Sequence, residues 1–214
     1  MKHIIYDNLI QGSNEWFEKR LGKATSSRFG DIMTLPRGKK DREDGVLSKT
    51  ARTYMIELLT EKLTGETRQL ESTAMEWGTE NEPLARNAYE LETITEVKEV
   101  GFIELDEGKL KGRVGASTDG LIGDSGILEI KCPWNSIKHT EYLLGGDIPK
   151  SYIAQMQGAL WITGRKYCDF VSYNTRVKEQ AKQIYIKRIE RNEEYIKTLE
   201  ERLLNFIKQL DNLI

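Results

Sequence analysis

The stretch from Ser117 to Trp134 constrains the fold more than any other part of the chain. Asp119 comes first, a polar Gly-Asp-Ser-Gly turn follows at 123–126, and the next segment carries Glu129 and Lys131. Side chains two residues apart on a strand point the same way, so Glu129 and Lys131 share one face while alternate apolar residues line the other. The pattern predicts a β-hairpin with one core face and one charged face.

The hairpin brings the carboxylates of Asp119 and Glu129 to one side of the sheet. Two carboxylates together with the backbone carbonyl of Ile130 make an oxygen site of the kind that Mg²⁺ prefers. The ammonium of Lys131 beside such a site can orient an attacking water and stabilise the charge that develops on a phosphate. This stretch therefore indicates phosphodiester hydrolysis.

Glu-x-Lys by itself carries little information. In a chain of 214 residues with 34 acids and 32 bases, chance alone gives roughly five acid-x-base triples. The competing interpretation is a solvated charged face. With the strand, the turn and the upstream Asp119 included, a functional site and a solvated charged face are equally favoured. The surrounding sequence decides between these two interpretations.

Several separated motifs accompany the hairpin. They are Gln11-Gly12-Ser13 with Glu15-Trp16 and Arg20-Leu21-Gly22, Thr25 to Ser27, Trp77-Gly78 with Glu82, and Tyr152 with Ala154-Gln155-Met156-Gln157. With Asp119 and the Glu129-Ile130-Lys131-Cys132-Pro133 run, they resemble the PD-(D/E)xK signature of the lambda-type phage exonucleases, also called YqaJ-like viral recombinases. The resemblance extends over most of the chain.

The resemblance implies an α/β fold with a restriction-endonuclease-like core, in which a central mixed β-sheet is flanked by α-helices. The length suits a single nuclease domain spanning residues 1–214. Its last segment is predicted to be a helix, about 192–214, with six apolar residues at alternating spacings of three and four: Ile196, Leu199, Leu203, Phe206, Leu210 and Leu213. This repeat is short for a coiled coil, so docking onto its own domain is favoured, although a contribution to assembly stays open.

By the same resemblance, Asp119, Glu129 and the Ile130 carbonyl hold Mg²⁺, and Glu82 supports a second ion. Mn²⁺ is expected to substitute. The alternative for Glu82 is a first-turn acid that interacts favourably with a helix dipole.

Two further residues complete the implied catalytic set. Lys131 activates the attacking water. Gln155, on a predicted helix from Ile153 to Thr163, hydrogen-bonds a metal-associated water or a phosphate oxygen; the alternative for it is an ordinary exposed helix glutamine.

The resemblance also implies a set of DNA contacts. Arg20, Ser27 and Ser117 hold a terminal 5′ phosphate, Arg37 enters the minor groove, and Met75 wedges apart the terminal base pair. The alternatives are a surface ion pair of Arg20 with Glu15 or Glu18, a solvated basic loop around Arg37, and a core position for Met75.

Five local expectations concern the elements around the site. Residues 97–105 and 111–118 are predicted to be strands. Pro83 is predicted to kink the helix that begins at Thr73 or to start a new one. Leu35 to Arg42 is predicted to be a basic loop, and His139, which has no evident partner, a surface residue. A helix capped by Ser48 is predicted to bury Tyr54, Met55, Leu58, Leu59 and Leu63.

Composition limits the partners. A net charge of −2 offers no general attraction to DNA, so any contact requires a local basic patch. No apolar run approaches the length of a membrane span, and the first residues lack the apolar region of a signal peptide. This predicts a soluble cytoplasmic protein without a membrane partner, located in the host cytoplasm if it is phage-encoded. Cys132 and Cys168 are predicted to be buried free thiols and are too few for a four-cysteine iron–sulfur cluster.

The resemblance implies a Mg²⁺-dependent 5′→3′ exonuclease on double-stranded DNA that releases mononucleotides from 5′-phosphorylated ends and leaves 3′ overhangs for recombination. It further implies a ring-shaped homo-oligomer, a trimer being favoured, and a single-strand annealing protein as partner. Two alternatives stay open. One is a structure- or sequence-specific endonuclease of the same superfamily, and the other is a non-catalytic DNA-end-binding recombination factor.

Overall fold

The computed structural model describes residues 2–67 and 72–213, so the predicted domain ends at 1 and 214 lie outside the described residues. The helices are α1 Asn14–Arg20, α2 Phe29–Met33, α3 Lys39–Glu43, α4 Lys49–Thr64, α5 Thr73–Thr93, α6 Ser136–Leu143, α7 Lys150–Thr163 and α8 Glu193–Asp211. The strands are β1 His3–Tyr6, β2 Ala24–Thr25, β3 Val97–Lys98, β4 Phe102–Leu105, β5 Val114–Ala116, β6 Gly120–Ile122, β7 Gly126–Lys131, β8 Tyr167–Tyr173 and β9 Ile184–Glu190.

The predicted hairpin lies in the middle of a mixed five-stranded sheet with the order β3-β6-β7-β8-β9. Strands β6 and β7 are antiparallel, and β7 runs parallel to β8, with Lys131 opposite Ser172. The chain crosses from β7 to β8 through α6 and α7, as a parallel pair requires. The C-terminal ends of β7 and β8, at Lys131 and Tyr173, therefore lie side by side.

The remaining strands form a separate four-stranded sheet with the order β1-β4-β5-β2. The α/β class with mixed sheets flanked by helices is confirmed, but a single strand over 97–105 is wrong, because β3 and β4 belong to different sheets. The chain passes between the sheets at Gly101, where a Cβ atom would lie 2.1 Å from the carbonyl oxygen of Leu9. Only glycine allows that approach of two backbones.

Pro83 does not begin a new helix. Helix α5 runs without interruption from Thr73 to Thr93, with Pro83 inside it. The missing N–H costs one helical hydrogen bond, but α5 packs against β7, β8 and β9 and buries Ala85 and Tyr89 there. Tertiary packing offsets the local preference of proline to end a helix.

Helix α7 forms the centre of the larger core, with every residue from Ala154 to Thr163 buried. Helix α8 packs against α7, α2 and α4, which confirms docking onto its own domain. Leu213 does not take part, because 55% of it is exposed, and Leu63 of α4 is likewise 73% exposed. The expectation that these two leucines are buried was wrong, since both follow the last packed turn of their helices.

Three other expectations have clear outcomes. His139 is fully buried rather than on the surface. Its two ring nitrogens contact Ser172 Oγ and the Lys182 carbonyl oxygen, each at 2.8 Å, so its partners come from β8 and the segment before β9, far away in sequence. The basic stretch is only partly a loop, because α3 begins at Lys39. Cys132 and Cys168 are buried and free, as expected.

Among the residues that the structure describes, no helix is both long enough and apolar enough to cross a membrane.

Candidate active site

The hairpin holds its carboxylates by short hydrogen bonds. The Asp119 amide donates to the Leu128 carbonyl at 3.1 Å, and Asp119 Oδ2 accepts from the Ile130 amide at 2.5 Å. Glu129 Oε1 accepts from Lys131 Nζ at 2.5 Å and from Gln155 Nε2 at 2.6 Å. The structure thus brings Asp119, Glu129, Lys131 and Gln155 together. The role of the Ile130 carbonyl as a metal ligand stays a prediction.

Gln155 is 8% exposed and Glu129 only 1%, so the alternative of an ordinary exposed glutamine does not hold. An amide donor on a buried carboxylate fixes the orientation of that carboxylate. The position of Gln155 is set by α7, whose neighbouring residues are all buried in the core.

Burial dominates the electrostatics of the acids. Burial is the largest cause that raises the pKa of Glu129; together with the lowering effect of Lys131 and the raising effect of the Asp119 charge it gives a pKa of about 7. Burial also raises the pKa of Asp119. For Lys131, burial lowers the pKa, but attraction to Glu129 and Asp119 outweighs it and the pKa is raised. Lys131 is therefore a cation at neutral pH and can donate a hydrogen bond but cannot accept a proton.

Glu82 reaches the same region from α5, and its carboxylate is held by the side chain of Arg86, one turn later in the helix. Arg86 donates to Glu82 Oε1 at 2.9 Å and to the Asp119 carbonyl oxygen at 3.3 Å, and pairs with Glu99 at 2.8 Å. Burial, followed by the charge of Asp119, raises the pKa of Glu82 to about 7. Sequence reasoning missed Arg86; its only signal is the Glu82 and Arg86 pair at i, i+4 on one helix face.

The acids form a donor set that suits a hard divalent cation. Among residues 2–67 and 72–213, no three His, Cys, Asp or Glu side chains lie close enough together to hold a metal ion. In this arrangement Lys131 and Gln155 occupy one oxygen of Glu129, and Arg86 occupies one oxygen of Glu82. The acids nevertheless raise one another's pKa, and a cation bound between them would relieve that repulsion. The carboxylate oxygens therefore fit a hard divalent cation in chemical type, although in this arrangement they do not surround a common point.

This electrostatic picture predicts how stability depends on pH when no divalent metal is present. Glu129 has a pKa of about 7 in the fold against a usual value of 4.5, so the folded chain keeps a proton that the unfolded chain loses in that range. Stability is therefore highest below the unfolded pKa and falls as pH rises toward 7. In Glu129→Gln the side chain stays neutral at every pH. From about pH 5 to about pH 8 we therefore expect the free energy of unfolding of the variant to rise by roughly 1–3 kcal/mol relative to that of the native chain.

Thermal unfolding in EDTA at the two pH values measures this gain. Glu141→Gln, which removes a half-exposed charge on α6, is the matched control. If the variant and the native chain differ in stability by the same amount at both pH values, the pKa of Glu129 is not raised in the fold.

A second group of polar side chains lies beside the first. Arg20 Nη1 donates to Ser117 Oγ at 2.8 Å, and Trp16 Nε1 donates to the same oxygen at 3.1 Å and to the Gly101 carbonyl at 2.9 Å. The Arg20 guanidinium lies 3.9 Å from the centre of the Trp16 ring. Burial lowers the pKa of Arg20 to about 10, which leaves it charged at neutral pH.

Arg20 does not form the alternative surface ion pair. In the described part of the chain its guanidinium has no carboxylate partner, neither Glu15 nor Glu18, and is held by a hydroxyl and an indole instead. A half-buried guanidinium that is held by a neutral hydroxyl, with Glu61 only as a nearby charge, is suited to bind an anion. Trp16 was quoted from sequence only as part of a motif, and the structure gives it a specific place under this arginine.

One cleft of about 1190 Å³ extends from Arg20 to Asp119 and Glu82, whereas Glu129, Lys131 and Gln155 are not among its lining residues. Its lining includes Arg20, Ser27, Met75, Glu82 and Asp119. Ser27, in the short 3-10 helix Ser26–Arg28, has its Oγ 3.3 Å from Thr25 Oγ1. Met75 is 54% exposed rather than part of the core, in agreement with a contact position.

Two predicted DNA contacts, Arg37 and Ser117, are not among the residues that line this cleft; Ser117 is nevertheless bonded to Arg20, whereas Arg37 has no such link to it in the described part of the chain. Arg37 is exposed. The side chain of Arg42 donates to the carbonyls of Pro36 and Arg37 at 2.9 and 2.7 Å, so the loop tip is held by its own arginine. The role of Arg37 stays a prediction.

Comparison with solved structures places the chain among nucleases. The alkaline exonuclease LHK-Exo from Laribacter hongkongensis is 40% identical, with a TM-score of 0.81 over 94% of this chain and 93% of that one. The same protein in complex with dAMP gives a TM-score of 0.82 at the same identity and coverage. A phage related exonuclease from Haemophilus somnus 129PT shares the fold, with 21% identity, a TM-score of 0.67 and coverage of 89% of this chain and 94% of that one.

Sequence comparison gives the same family. The protein ExoD of Escherichia coli (strain K12) is 32% identical over 76 residues, which are 35% of this chain and 85% of that protein. The model of the YqaJ-like viral recombinase domain matches residues 15–166. That range contains the Arg20 group and the Asp119 group of the cleft, together with Gln155. The chain belongs to the family of YqaJ-like viral recombinases.

Proposed function

We propose that this protein is a Mg²⁺-dependent exonuclease that degrades double-stranded DNA from 5′-phosphorylated ends in the 5′→3′ direction, releasing mononucleotides. The observation that carries the proposal is the single cleft that joins Arg20 and Ser27 to Asp119 and Glu82. It combines the Arg20 guanidinium, which has no salt bridge in the described part of the chain and is suited to a terminal phosphate, with acids suited to a metal ion. The similarity to LHK-Exo, named as an alkaline exonuclease and solved with a mononucleotide, supports the same reaction.

Each residue has a role that follows from its contacts. Bound Mg²⁺, two ions in the proposal, with Mn²⁺ able to substitute, supplies Lewis-acid stabilisation of the phosphate oxygens. Asp119, Glu129 and Glu82 provide carboxylate oxygens for it, with the Ile130 carbonyl as a further ligand. Gln155 holds Glu129 in place at 2.6 Å. Lys131, a cation at neutral pH, orients the attacking water and stabilises the charge that develops on the phosphate.

The position of the anion site supports the proposed direction of digestion. Ser117, which accepts from Arg20 at 2.8 Å, is only two residues before Asp119, so the terminal phosphate and the bond to be cut are held close together. Helix N-terminal amides near Ser27 and the Arg20 guanidinium both favour an anion there. A 5′-phosphorylated end can then be positioned one nucleotide at a time, leaving a 3′ single strand.

The decisive experiment uses a linear duplex with one 5′-phosphorylated and one 5′-hydroxyl end, together with a covalently closed circle, in Mg²⁺. We expect mononucleotides from the phosphorylated end first and no cutting of the circle. Cutting of the circle would instead establish an endonuclease. An absence of any metal-dependent product would leave a non-catalytic DNA-end-binding factor as the function.

The proposed setting is recombination in the cytoplasm, with a single-strand annealing protein as partner for the exposed 3′ strand. We propose that the chain acts as a ring-shaped homo-oligomer, in trimeric form, around DNA. A ring explains how a chain with net charge −2 stays on a polyanion, because enclosure replaces general attraction. A monomer in light scattering under the assay conditions contradicts this part of the proposal.

A further inference from the structure

An arginine and two tryptophans form a cluster beside the catalytic strands that the reaction described above does not use. The guanidinium of Arg176 lies 3.9 Å from the ring centre of Trp77 and 4.6 Å from that of Trp134. The two indoles meet edge to face at 5.5 Å. We name Trp77, Trp134 and Arg176 the indole–arginine cluster. Trp134 is 48% exposed and Arg176 is also exposed, so the cluster lies open to solvent.

Each member of the cluster lies on or just beyond an element next to the proposed site: Trp77 on α5, Trp134 after β7 and Arg176 after β8. Trp134 follows Lys131 by three residues, about 10 Å of extended chain, and Trp77 precedes Glu82 by five residues, about 7.5 Å along α5. Arg176 lies four residues beyond Ser172, the register partner of Lys131 on β8. The cluster therefore lies at the edge of the sheet where the parallel strands β7 and β8 end, next to the proposed site of hydrolysis.

The segment that carries Arg176 is fixed in position. Asn174 is 1% exposed, and its side chain donates to Ser136 Oγ at 3.0 Å and accepts from the Arg176 amide at 3.0 Å. Thr175 Oγ1 donates to Asn81 Oδ1 on α5 at 3.1 Å. Arg176 is thus tied to α5 on one side and to the start of α6 on the other. A fixed side chain loses little conformational entropy when it binds a ligand.

Arg176 lacks the partner that an arginine usually has. In the described part of the chain its guanidinium forms no ion pair with a carboxylate, whereas Arg188, the other arginine on an aromatic ring near this sheet, is paired with Asp169 through two hydrogen bonds of 2.8 Å. The Trp77 indole nitrogen is buried and also has no hydrogen-bond partner among the described residues. An open cation on an aromatic platform is suited to a ligand that combines a phosphate with a planar ring.

We propose that the indole–arginine cluster binds single-stranded DNA, with Arg176 on a backbone phosphate and Trp134 in contact with an unstacked base. This inference rests on the proposed function, because hydrolysis of one strand leaves the other unpaired at this edge of the sheet. A base within a duplex is stacked on its neighbours and cannot present its face to Trp134, whereas a base of the freed strand can. The cluster therefore holds the strand that is not degraded as it leaves the site.

The test measures binding rather than hydrolysis. A labelled oligothymidylate of about 20 nucleotides, longer than typical single-strand sites, is titrated in EDTA with the native protein, Arg176→Ala, Trp134→Ala and Trp134→Phe. We expect Arg176→Ala and Trp134→Ala to weaken binding by about 5-fold to 100-fold, as loss of a stacking contact does. Trp134→Phe keeps a ring and is expected to bind within a few-fold of the native chain, and its fluorescence is expected to be quenched less by the oligonucleotide.

Lys197→Ala, which removes an exposed cation on α8, is the matched control for loss of charge. Equal affinity of the native chain, Arg176→Ala and Trp134→Ala, with unchanged circular dichroism, overturns the proposal. So does an equal loss on a blunt duplex with 5′-hydroxyl ends, which would make the cluster a contact for duplex backbone. Because no cleavage is needed, dependence of oligothymidylate binding on Trp134 without any nuclease activity would refute the proposed function and still establish that the cluster binds single-stranded DNA.

Discussion

Replacing Lys131 with alanine is expected to lower the rate of mononucleotide release by about 10²–10³-fold, the usual cost of removing one preorganised group that stabilises transition-state charge. Lys131 Nζ lies 2.5 Å from Glu129 Oε1 and 5.0 Å from the centre of the Tyr152 ring. It is therefore held as a cation beside the acids, where the attacking water and the phosphate meet in the proposed reaction. The rate under saturating DNA and Mg²⁺ is the measurement.

Two comparisons separate a catalytic loss from a folding defect. Lys138→Ala removes a cation that pairs with Glu141 on the exposed side of α6 at 2.9 Å, and we expect it to digest DNA at the native rate. Lys131→Ala combined with Glu129→Gln removes the buried pair as a unit and avoids the uncompensated charge that a single change leaves. A Lys131→Ala variant that folds and digests DNA within about tenfold of the native rate would show that Lys131 does not serve the chemical step as proposed.

The local parts of the fold follow from the sequence because short-range rules decide them. Ser13, Ser48 and Asn192 each accept a hydrogen bond from an amide in the first turn of a helix, and Gly65 and Gly164 end helices in the left-handed conformation. Alternation along β7 separates Glu129 and Lys131 from the apolar face. These signals are contained in windows of a few residues, so helix ends and the hairpin could be predicted.

The parts that could not be predicted depend on residues distant in sequence. The division of 97–105 between two sheets depends on the approach of Leu9 to Gly101, and the burial of His139 depends on Ser172 and the Lys182 carbonyl. Local periodicity carries no information about either contact. Pro83 shows the opposite case, in which a strong local signal is overridden by packing of α5 on the sheet.

The candidate site likewise contains residues that local spacing predicts and residues that depend on distant contacts. Asp119, Glu129 and Lys131 are close in sequence and joined by a hairpin, so spacing alone suggested that they meet. Arg86 controls Glu82 and also touches the Asp119 carbonyl, a link across 33 residues that no spacing rule predicts. The indole–arginine cluster likewise draws its members from three elements.

Replacing Arg20 with alanine is expected to abolish the preference for 5′-phosphorylated over 5′-hydroxyl ends, a loss of about 10- to 100-fold in that ratio if charge-assisted hydrogen bonds to the phosphate contribute 1.5–3 kcal/mol. Arg20 is positioned by Ser117 at 2.8 Å and by the Trp16 ring at 3.9 Å, and Glu61 attracts it as a nearby charge without forming a salt bridge to it in the described part of the chain. A terminal phosphate therefore replaces only a neutral hydroxyl as its partner.

Initial rates on duplexes that differ only in the terminal phosphate measure the effect, and the 5′-hydroxyl duplex is its internal control. Arg20→Lys keeps a positive charge but loses the planar contact with Trp16 and the forked donors, so we expect only partial retention of the preference. Loss of rate on both ends alike would mean that Arg20 supports the fold of the cleft rather than recognition of the end. Retention of the native ratio in Arg20→Ala would move the phosphate site elsewhere in the cleft and remove the basis for a 5′→3′ direction.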